Sequence, residues 1–215
     1  MVKNILFIAF VSFLLVSSCS KDSTSNNTTN PIDTASQQKI LEIKTSFGNM
    51  YLWLNKETPL HRANYLALAD SNYLDGSTFH RIVTNFVIQG GDPNSKDADT
   101  TNDGTGGPVY KIPAEINTSL FKHAYGAVGA ARDGNAAKAS SGSQFYIVVN
   151  KAGQANLDGN YTVFGKVIKG MDVAELIVKQ PKNATNNRPY TNITIDVNVL
   201  TKTNQELKDE FNFTP

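Results

Sequence analysis

The chain of 215 residues has little of what marks several common protein classes. It contains one cysteine, so it can form neither an intramolecular disulfide nor a CxxC redox pair. Its 20 lysines and arginines are balanced by 19 aspartates and glutamates, and a formal net charge of +1 provides no basic excess to attract phosphates. We therefore expect no nucleic-acid partner. The hydrophobic fraction of 40% is sufficient for a domain with a core.

The chain also has no apolar run long enough to cross a bilayer as a helix, which takes roughly 20 residues. The apolar run at residues 5–16 is shorter and follows Lys3. A charged start, a short apolar stretch and small residues at 17 and 18 are typical of a signal peptide. Residues 1–18 are therefore predicted to be a signal peptide and no part of the fold.

The order Val16, Ser17, Ser18, Cys19 resembles the bacterial lipobox, in which the cysteine receives a diacylglycerol and becomes the new N-terminus. This resemblance implies lipidation at Cys19 and attachment to a membrane through an N-terminal lipid anchor. Plain secretion is the alternative. The following Ser20 does not resemble the aspartate that retains some lipoproteins at the inner membrane. We expect a location in the cell envelope, with the outer membrane favoured. The domain would face either the periplasm or the exterior of the cell.

Composition divides the rest of the chain into three parts. In residues 20–38, 11 of 19 side chains belong to Ser, Thr or Asn, and so polar a segment cannot offset its ordering entropy by burial. Residues 19–38 are therefore predicted to be the lipidated cysteine and a flexible tether. A folded domain is predicted over 39–201 and a tail over 202–215.

The predicted domain is rich in short strands. Alternating apolar and polar residues at 40–44 and 50–54 flank a turn at 47–49, which predicts a hairpin. Thr58 as N-cap and Pro59 at the first helical position predict a helix, and a second helix is predicted within 172–179. Further strands are predicted at 78–83, 86–89, 144–149, 162–168 and 193–199. This pattern favours a closed antiparallel barrel or a sandwich.

Several kinds of site find no support in the sequence. The glycine-rich residues 104–111 lack the lysine and hydroxyl positions of a P-loop. Asp97, Asp99 and Asp103 are spaced like the start of a calcium loop, but Tyr110 stands where the bidentate glutamate would bind. The three histidines lack the spacing of a zinc site, and no GxSxG nucleophile elbow exists. We predict neither a metal nor a cofactor.

Residues 79–92, FHRIVTNFVIQGGD, do point to a site. If 79–83 and 86–89 are successive strands, Arg81 and Gln89 reach one surface beside the apolar Phe86. A solvated arginine and a core phenylalanine would be the alternative interpretation.

Seven motifs in the same order resemble the signature of the cyclophilins, which are peptidyl-prolyl cis-trans isomerases. They extend between Ile40 and Val199 and include Gly48-Asn49, the Thr58-Pro59 helix with Asn64, FHRI at 79–82, QGGD at 89–92, GTGG at 104–107, GSQFYI at 142–147, and LDG with VFGKV at 157–167. The resemblance implies an eight-stranded antiparallel closed β-barrel capped by two α-helices, a mainly β fold. It also implies a monomeric isomerase without cofactor that acts on proline-containing polypeptides, here those of the envelope or exported.

The resemblance also assigns roles to residues. The catalytic residues would be Arg81, Phe86 and Gln89. The substrate-binding residues would be Val87, Ala131, Arg132, Gln144, Tyr146, Leu157 and Tyr161. His80 is expected to be structural, because rotation about a peptide bond transfers no proton.

Three positions depart from the family pattern. Asn156 stands where the family commonly has tryptophan or phenylalanine, Tyr161 where it commonly has histidine, and Tyr146 where it has a phenylalanine of the pocket. Catalysis is expected to be retained because Arg81, Phe86 and Gln89 are present. The alternative function is a non-catalytic chaperone module that binds proline-containing chains, but such a module would have no need of a transition-state donor.

Overall fold

The structure is a computed structural model that describes residues 37–215. The predicted signal peptide, Cys19 and the predicted tether up to residue 36 lie outside the described residues. Within 37–215, no helix is both long enough and apolar enough to pass through a bilayer.

The described chain forms ten strands and three α-helices. The strands are β1 (Gln38–Thr45), β2 (Gly48–Leu54), β3 (Arg81–Ile82), β4 (Val87–Gly90), β5 (Lys111–Ile112), β6 (Ala127–Ala130), β7 (Ser140–Ser141), β8 (Phe145–Val148), β9 (Val163–Lys169) and β10 (Asp196–Lys202). The helices are α1 (Pro59–Asp70), α2 (Met171–Val178) and α3 (Asn204–Phe211).

Eight strands form one antiparallel sheet in the order β10-β1-β2-β9-β6-β8-β4-β3, and β5 pairs with β7 separately. The mainly β, eight-stranded antiparallel architecture is confirmed, as is the hairpin of β1 and β2. Among the described residues no ladder joins the edge strands β3 and β10, so the sheet as observed is not a closed barrel. One isolated antiparallel bridge, between Thr78 and Thr194, lies next to both edges.

Strands β4 and β8, which carry several of the predicted site residues, are covered on both faces. This explains their nearly continuous apolar sequences. In β4, Ile88 belongs to the main core whereas Val87 belongs to a second apolar cluster. In β8, Ile147 and Tyr146 are divided in the same way. Because successive side chains of a strand point to opposite faces, the second cluster lies on the face away from the main core.

Helix α1 begins at Pro59 as predicted, but its N-terminus is not capped in the predicted way. The Thr58 hydroxyl makes no cap bond. The Glu115 carboxylate instead accepts hydrogen bonds from the backbone N–H groups of Leu60 and His61, each at 2.9 Å. A carboxylate at this end also interacts favourably with the helix dipole. A residue far along the chain thus replaces the local cap.

A third helix, α3, forms in the segment that was predicted to be a tail. Its capping box uses Thr203 and Glu206, which exchange side-chain and backbone hydrogen bonds. Its Leu207 and Phe211 pack with Ile40 and Trp53 in a small cluster of their own. The helix therefore covers one face of β1 and β2 and adds a third helix to the two expected.

Candidate active site

The hairpin of β3 and β4 brings the predicted catalytic residues together. Arg81 lies opposite Gln89 in the register, and its guanidinium donates a hydrogen bond of 3.2 Å to the Gln89 side-chain oxygen. The turn is tight because Asn85 adopts a left-handed conformation with φ of 56°. The Arg81 guanidinium lies 5.6 Å from the centre of the Phe86 ring. The three side chains therefore share one surface, as the sequence predicted.

This surface borders a cavity of about 270 Å³. Nine of the ten predicted site residues line it: Arg81, Phe86, Val87, Gln89, Ala131, Arg132, Tyr146, Leu157 and Tyr161. Its base is formed by the buried side chains of Val87, Tyr146 and Leu157, which belong to the second apolar cluster. The cavity thus combines an apolar base with two guanidinium groups, those of Arg81 and Arg132, and the Gln89 amide.

The tenth predicted residue, Gln144, connects this cavity to a neighbouring one. Its side-chain oxygen accepts a hydrogen bond from Gln89 at 3.1 Å, and its Nε2 donates to the Gly106 carbonyl at 2.8 Å. The neighbouring cavity, of about 280 Å³, is lined by Gln144, by residues 104–108 and by residues 110 and 111, among others. Gln89, Ala131 and Arg132 line both cavities, so the two form one continuous groove.

The glycine-rich wall of the neighbouring cavity was not predicted as part of the site. From the sequence, residues 104–107 were only excluded as part of a P-loop and counted among the motifs of the family resemblance. A Cβ atom on Gly106 would stand 2.2 Å from an Asp92 oxygen and 2.7 Å from Asn94 Cγ, so no side chain fits there. The glycine run was the available signal, but nothing in the sequence indicated what approached it.

Tyr146 is held by two residues that sequence reasoning missed. Its hydroxyl lies 2.9 Å from His123 Nε2, and His123 Nδ1 lies 2.8 Å from an Asp158 oxygen. Burial lowers the pKa of His123 despite the opposing effect of Asp158, and burial raises the pKa of Tyr146. The neutral imidazole therefore donates to Asp158 and accepts from the tyrosine. This pairing satisfies a hydroxyl that the phenylalanine of the family pattern would not have.

Tyr161 closes one side of the cavity with its ring. It packs edge-on against Tyr146, with ring centres 6.0 Å apart and an angle of 84° between the rings. The Arg132 guanidinium lies over the Tyr161 ring, 4.8 Å from its centre. Asn156, by contrast, is exposed on the short turn that carries Leu157 and does not line the cavity.

Arg81 is half-buried at the rim of the cavity. Burial lowers its pKa, but a guanidinium remains charged at neutral pH because its ordinary pKa is above about 12. The charge faces the cavity and keeps only one side-chain hydrogen bond, to Gln89, among the described residues. Donor groups of Arg81 thus remain for a ligand.

Comparison with known proteins agrees with this geometry. The family model described as cyclophilin type peptidyl-prolyl cis-trans isomerase/CLD matches residues 40–199. A peptidyl-prolyl cis-trans isomerase of Arabidopsis thaliana is 39% identical over 140 residues, which are 65% of this chain and 81% of that protein. Peptidyl-prolyl cis-trans isomerase B of Bacillus subtilis is 42% identical over 113 residues, 53% of this chain and 71% of that one.

A solved structure is similar over most of its length. The crystal structure of a Cryptosporidium parvum cyclophilin type peptidyl-prolyl cis-trans isomerase, determined in the presence of the dipeptide Ala-Pro, has a TM-score of 0.66 and 28% identity. The match covers 77% of this chain and 99% of that chain. The chain therefore belongs to the cyclophilin-type peptidyl-prolyl cis-trans isomerases, enzymes that accelerate rotation about X-Pro peptide bonds.

Proposed function

We propose that Arg81 accelerates this rotation by donating a hydrogen bond to the proline nitrogen. Amide resonance holds the X-Pro bond planar with a barrier of about 18–20 kcal/mol. In the twisted transition state the nitrogen becomes pyramidal and gains a lone pair, so a donor placed there binds that state selectively. The single observation that carries the proposal is the Arg81 guanidinium, charged and half-buried at the rim of an apolar cavity.

The apolar base of the cavity is proposed to hold the proline ring. Phe86, Val87, Tyr146 and Leu157 offer apolar surface without a charged group among them. Gln89, beside Arg81, is proposed to bind the substrate backbone. One charge-assisted hydrogen bond is worth about 1.5–3 kcal/mol, which gives roughly a 10- to 150-fold rate increase. The remaining acceleration would come from holding the substrate in a conformation close to the twisted state.

The proposed substrates are proline-containing polypeptides, in keeping with the Ala-Pro dipeptide present with the similar solved structure. The test is the cis-to-trans rate of a short X-Pro peptide with the full chain in detergent, measured with increasing Ala-Pro dipeptide. We expect a saturable acceleration that the dipeptide inhibits competitively. Acceleration without competition would place the reaction outside this cavity, and binding without acceleration would favour the non-catalytic chaperone module.

We also propose that the eight-stranded sheet closes into a barrel. Besides the bridge between Thr78 and Thr194, the N–H of Phe79 donates to the Ile193 carbonyl at 2.9 Å. The segments that precede β3 and β10 are thus hydrogen-bonded to each other. Bonding along both edges would remove the unpaired strand edges that otherwise promote aggregation.

A lipid anchor at Cys19 is proposed from the sequence pattern alone. It would attach the domain to the cell envelope through the predicted polar tether. Proteins that fold in the envelope would then be the clients.

The anchor is tested by growing cells with labelled palmitate and comparing the chain with its Cys19→Ser variant. We expect label and membrane association in the parent chain only. An unlabelled parent chain that is released in soluble form would support plain secretion instead.

A further inference from the structure

The loop between Asp92 and Gly104 has no role in the chemistry above, yet it ends in the wall of the neighbouring cavity. Asp92 is fully buried, and its carboxylate accepts hydrogen bonds from the backbone N–H groups of Asn94, Gly104 and Gly106. One side chain therefore binds both the start of the loop and its end. The position of the loop determines where residues 104–107 stand.

A second attachment comes from a distant part of the chain. Asp103, which immediately precedes the wall, forms an ion pair with Arg188, and the two side chains are only 6% and 11% exposed. Arg188 also donates to the side chain of Asn192 at 3.0 Å. The backbone next to it bonds to the catalytic hairpin, because the Ile82 N–H donates to the Asn187 carbonyl at 2.9 Å. One segment thus contacts both the loop and the strand that carries Arg81.

Besides Asp92, Asn94 also holds this end of the loop, because its Nδ2 donates to the Asn102 carbonyl at 3.4 Å and to Thr105 Oγ1 at 3.2 Å. Several buried polar atoms nearby nevertheless have no partner in the described chain. His80 lies beneath the loop and is 5% exposed, but neither of its ring nitrogens has a hydrogen-bond partner in the described chain. The same is true of Asp103 Oδ1 and Asn102 Oδ1. A buried charge that loses its partner is strongly destabilising, and removing the arginine would leave Asp103 as such an uncompensated buried charge. The observed position of the loop would then be destabilised.

A displaced loop would change the shape of the groove, because the wall at 104–107 contacts Gln144. The Gly106 carbonyl accepts a hydrogen bond from the Gln144 side chain, which lines the neighbouring cavity. Arg188 itself lines neither cavity. Its influence would therefore reach the substrate only through the wall at 104–107.

We propose that Arg188 is a positioning residue that sets the affinity of the neighbouring cavity for the part of the client chain flanking the proline. The ion pair with Asp103, together with the Asp92 carboxylate, holds residues 104–107 in place, and the neighbouring cavity then accepts a side chain of an extended polypeptide. A ligand confined to the proline cavity would not depend on the pair. This inference rests on the proposed function of the groove.

The test compares Arg188→Ala with the parent full chain, using a long proline-containing peptide as substrate and the Ala-Pro dipeptide as inhibitor. We expect KM for the long peptide to rise roughly threefold to tenfold, as for one lost hydrogen bond, with kcat unchanged. The inhibition constant of Ala-Pro should also be unchanged. Arg188→Lys, which keeps the charge, should recover part of the affinity.

Two further variants make the test decisive. Asp103→Asn keeps the shape of the partner and should raise KM in the same way, so it tests the proposal even if Arg188→Ala does not fold. Arg62→Ala, an arginine of α1 that lines neither cavity, should leave KM unchanged. An unchanged KM in folded Arg188→Ala and Asp103→Asn, or an equal loss for the dipeptide, would overturn the proposal. An inactive parent chain would instead refute the proposed function.

Discussion

Replacing Arg81 with alanine is expected to lower kcat/KM for a short X-Pro peptide by about 10- to 150-fold. This range corresponds to the loss of one charge-assisted hydrogen bond of about 1.5–3 kcal/mol in the transition state. The apolar base of the cavity does not include Arg81, so binding of Ala-Pro should weaken less than catalysis. The measurement is the isomerisation rate at several substrate concentrations, which separates kcat from KM.

A lysine at the same position separates charge from geometry. Arg81→Lys keeps the positive charge but loses the planar fork that reaches Gln89 and the substrate together, so it should restore only part of the rate. Arg62→Ala serves as the matched control and should retain full activity. Full activity in a folded Arg81→Ala chain would exclude the transition-state role and shift the mechanism to the cavity alone.

The largest effect on stability is expected from Phe164→Ala. Phe164 is 1% exposed and stacks on Tyr65 with ring centres 4.2 Å apart and an angle of 7° between the rings. His61 stacks nearby, at 5.8 Å from the Phe164 ring. Truncation leaves a cavity in a closely packed core, which costs about 3–5 kcal/mol of the free energy of unfolding. Equilibrium unfolding in urea measures this loss directly.

The same substitution should also disturb the groove. The Tyr65 hydroxyl donates to the Gln144 carbonyl at 3.1 Å, so a shifted Tyr65 ring displaces a residue of the site. Leu176→Ala is the control for side-chain truncation, because Leu176 is 47% exposed on α2 and leaves no internal void. We expect it to change the free energy of unfolding by less than about 0.5 kcal/mol. Equal losses for the two variants would show that Phe164 contributes no core packing.

The part of the site that could be predicted from the sequence consists of residues close together along the chain. Arg81 and Gln89 could be placed together from sequence because two short strands joined by a tight turn put residues eight apart side by side. Phe86 beside them follows from the same hairpin, whereas Tyr146 and Leu157 were assigned through the resemblance to the cyclophilins. Only the first of these placements uses spacing within a single hairpin.

What could not be predicted depends on contacts between distant residues. Glu115 replaces the local cap of α1, and His123 and Asp158 hold the Tyr146 hydroxyl. No spacing of residues in the sequence predicts either set of contacts. Helix α3 was missed because its buried side chains are only Leu207 and Phe211, and their partners on β1 and β2 lie some 150 positions earlier in the sequence.

The pairing of β1 with β10 governs how the domain can fold. Ile40 lies opposite Leu200, so β1, the first strand along the chain, pairs with β10, the last one. A contact between residues this far apart in sequence carries a large loop-closure cost and slows folding. During synthesis the β1–β2 hairpin is complete early, but one edge stays unpaired until nearly the whole domain has been made. A chain interrupted before residue 196 would present the edge of β1 to its neighbours, which is a route to misassembly that pairing with β10 removes.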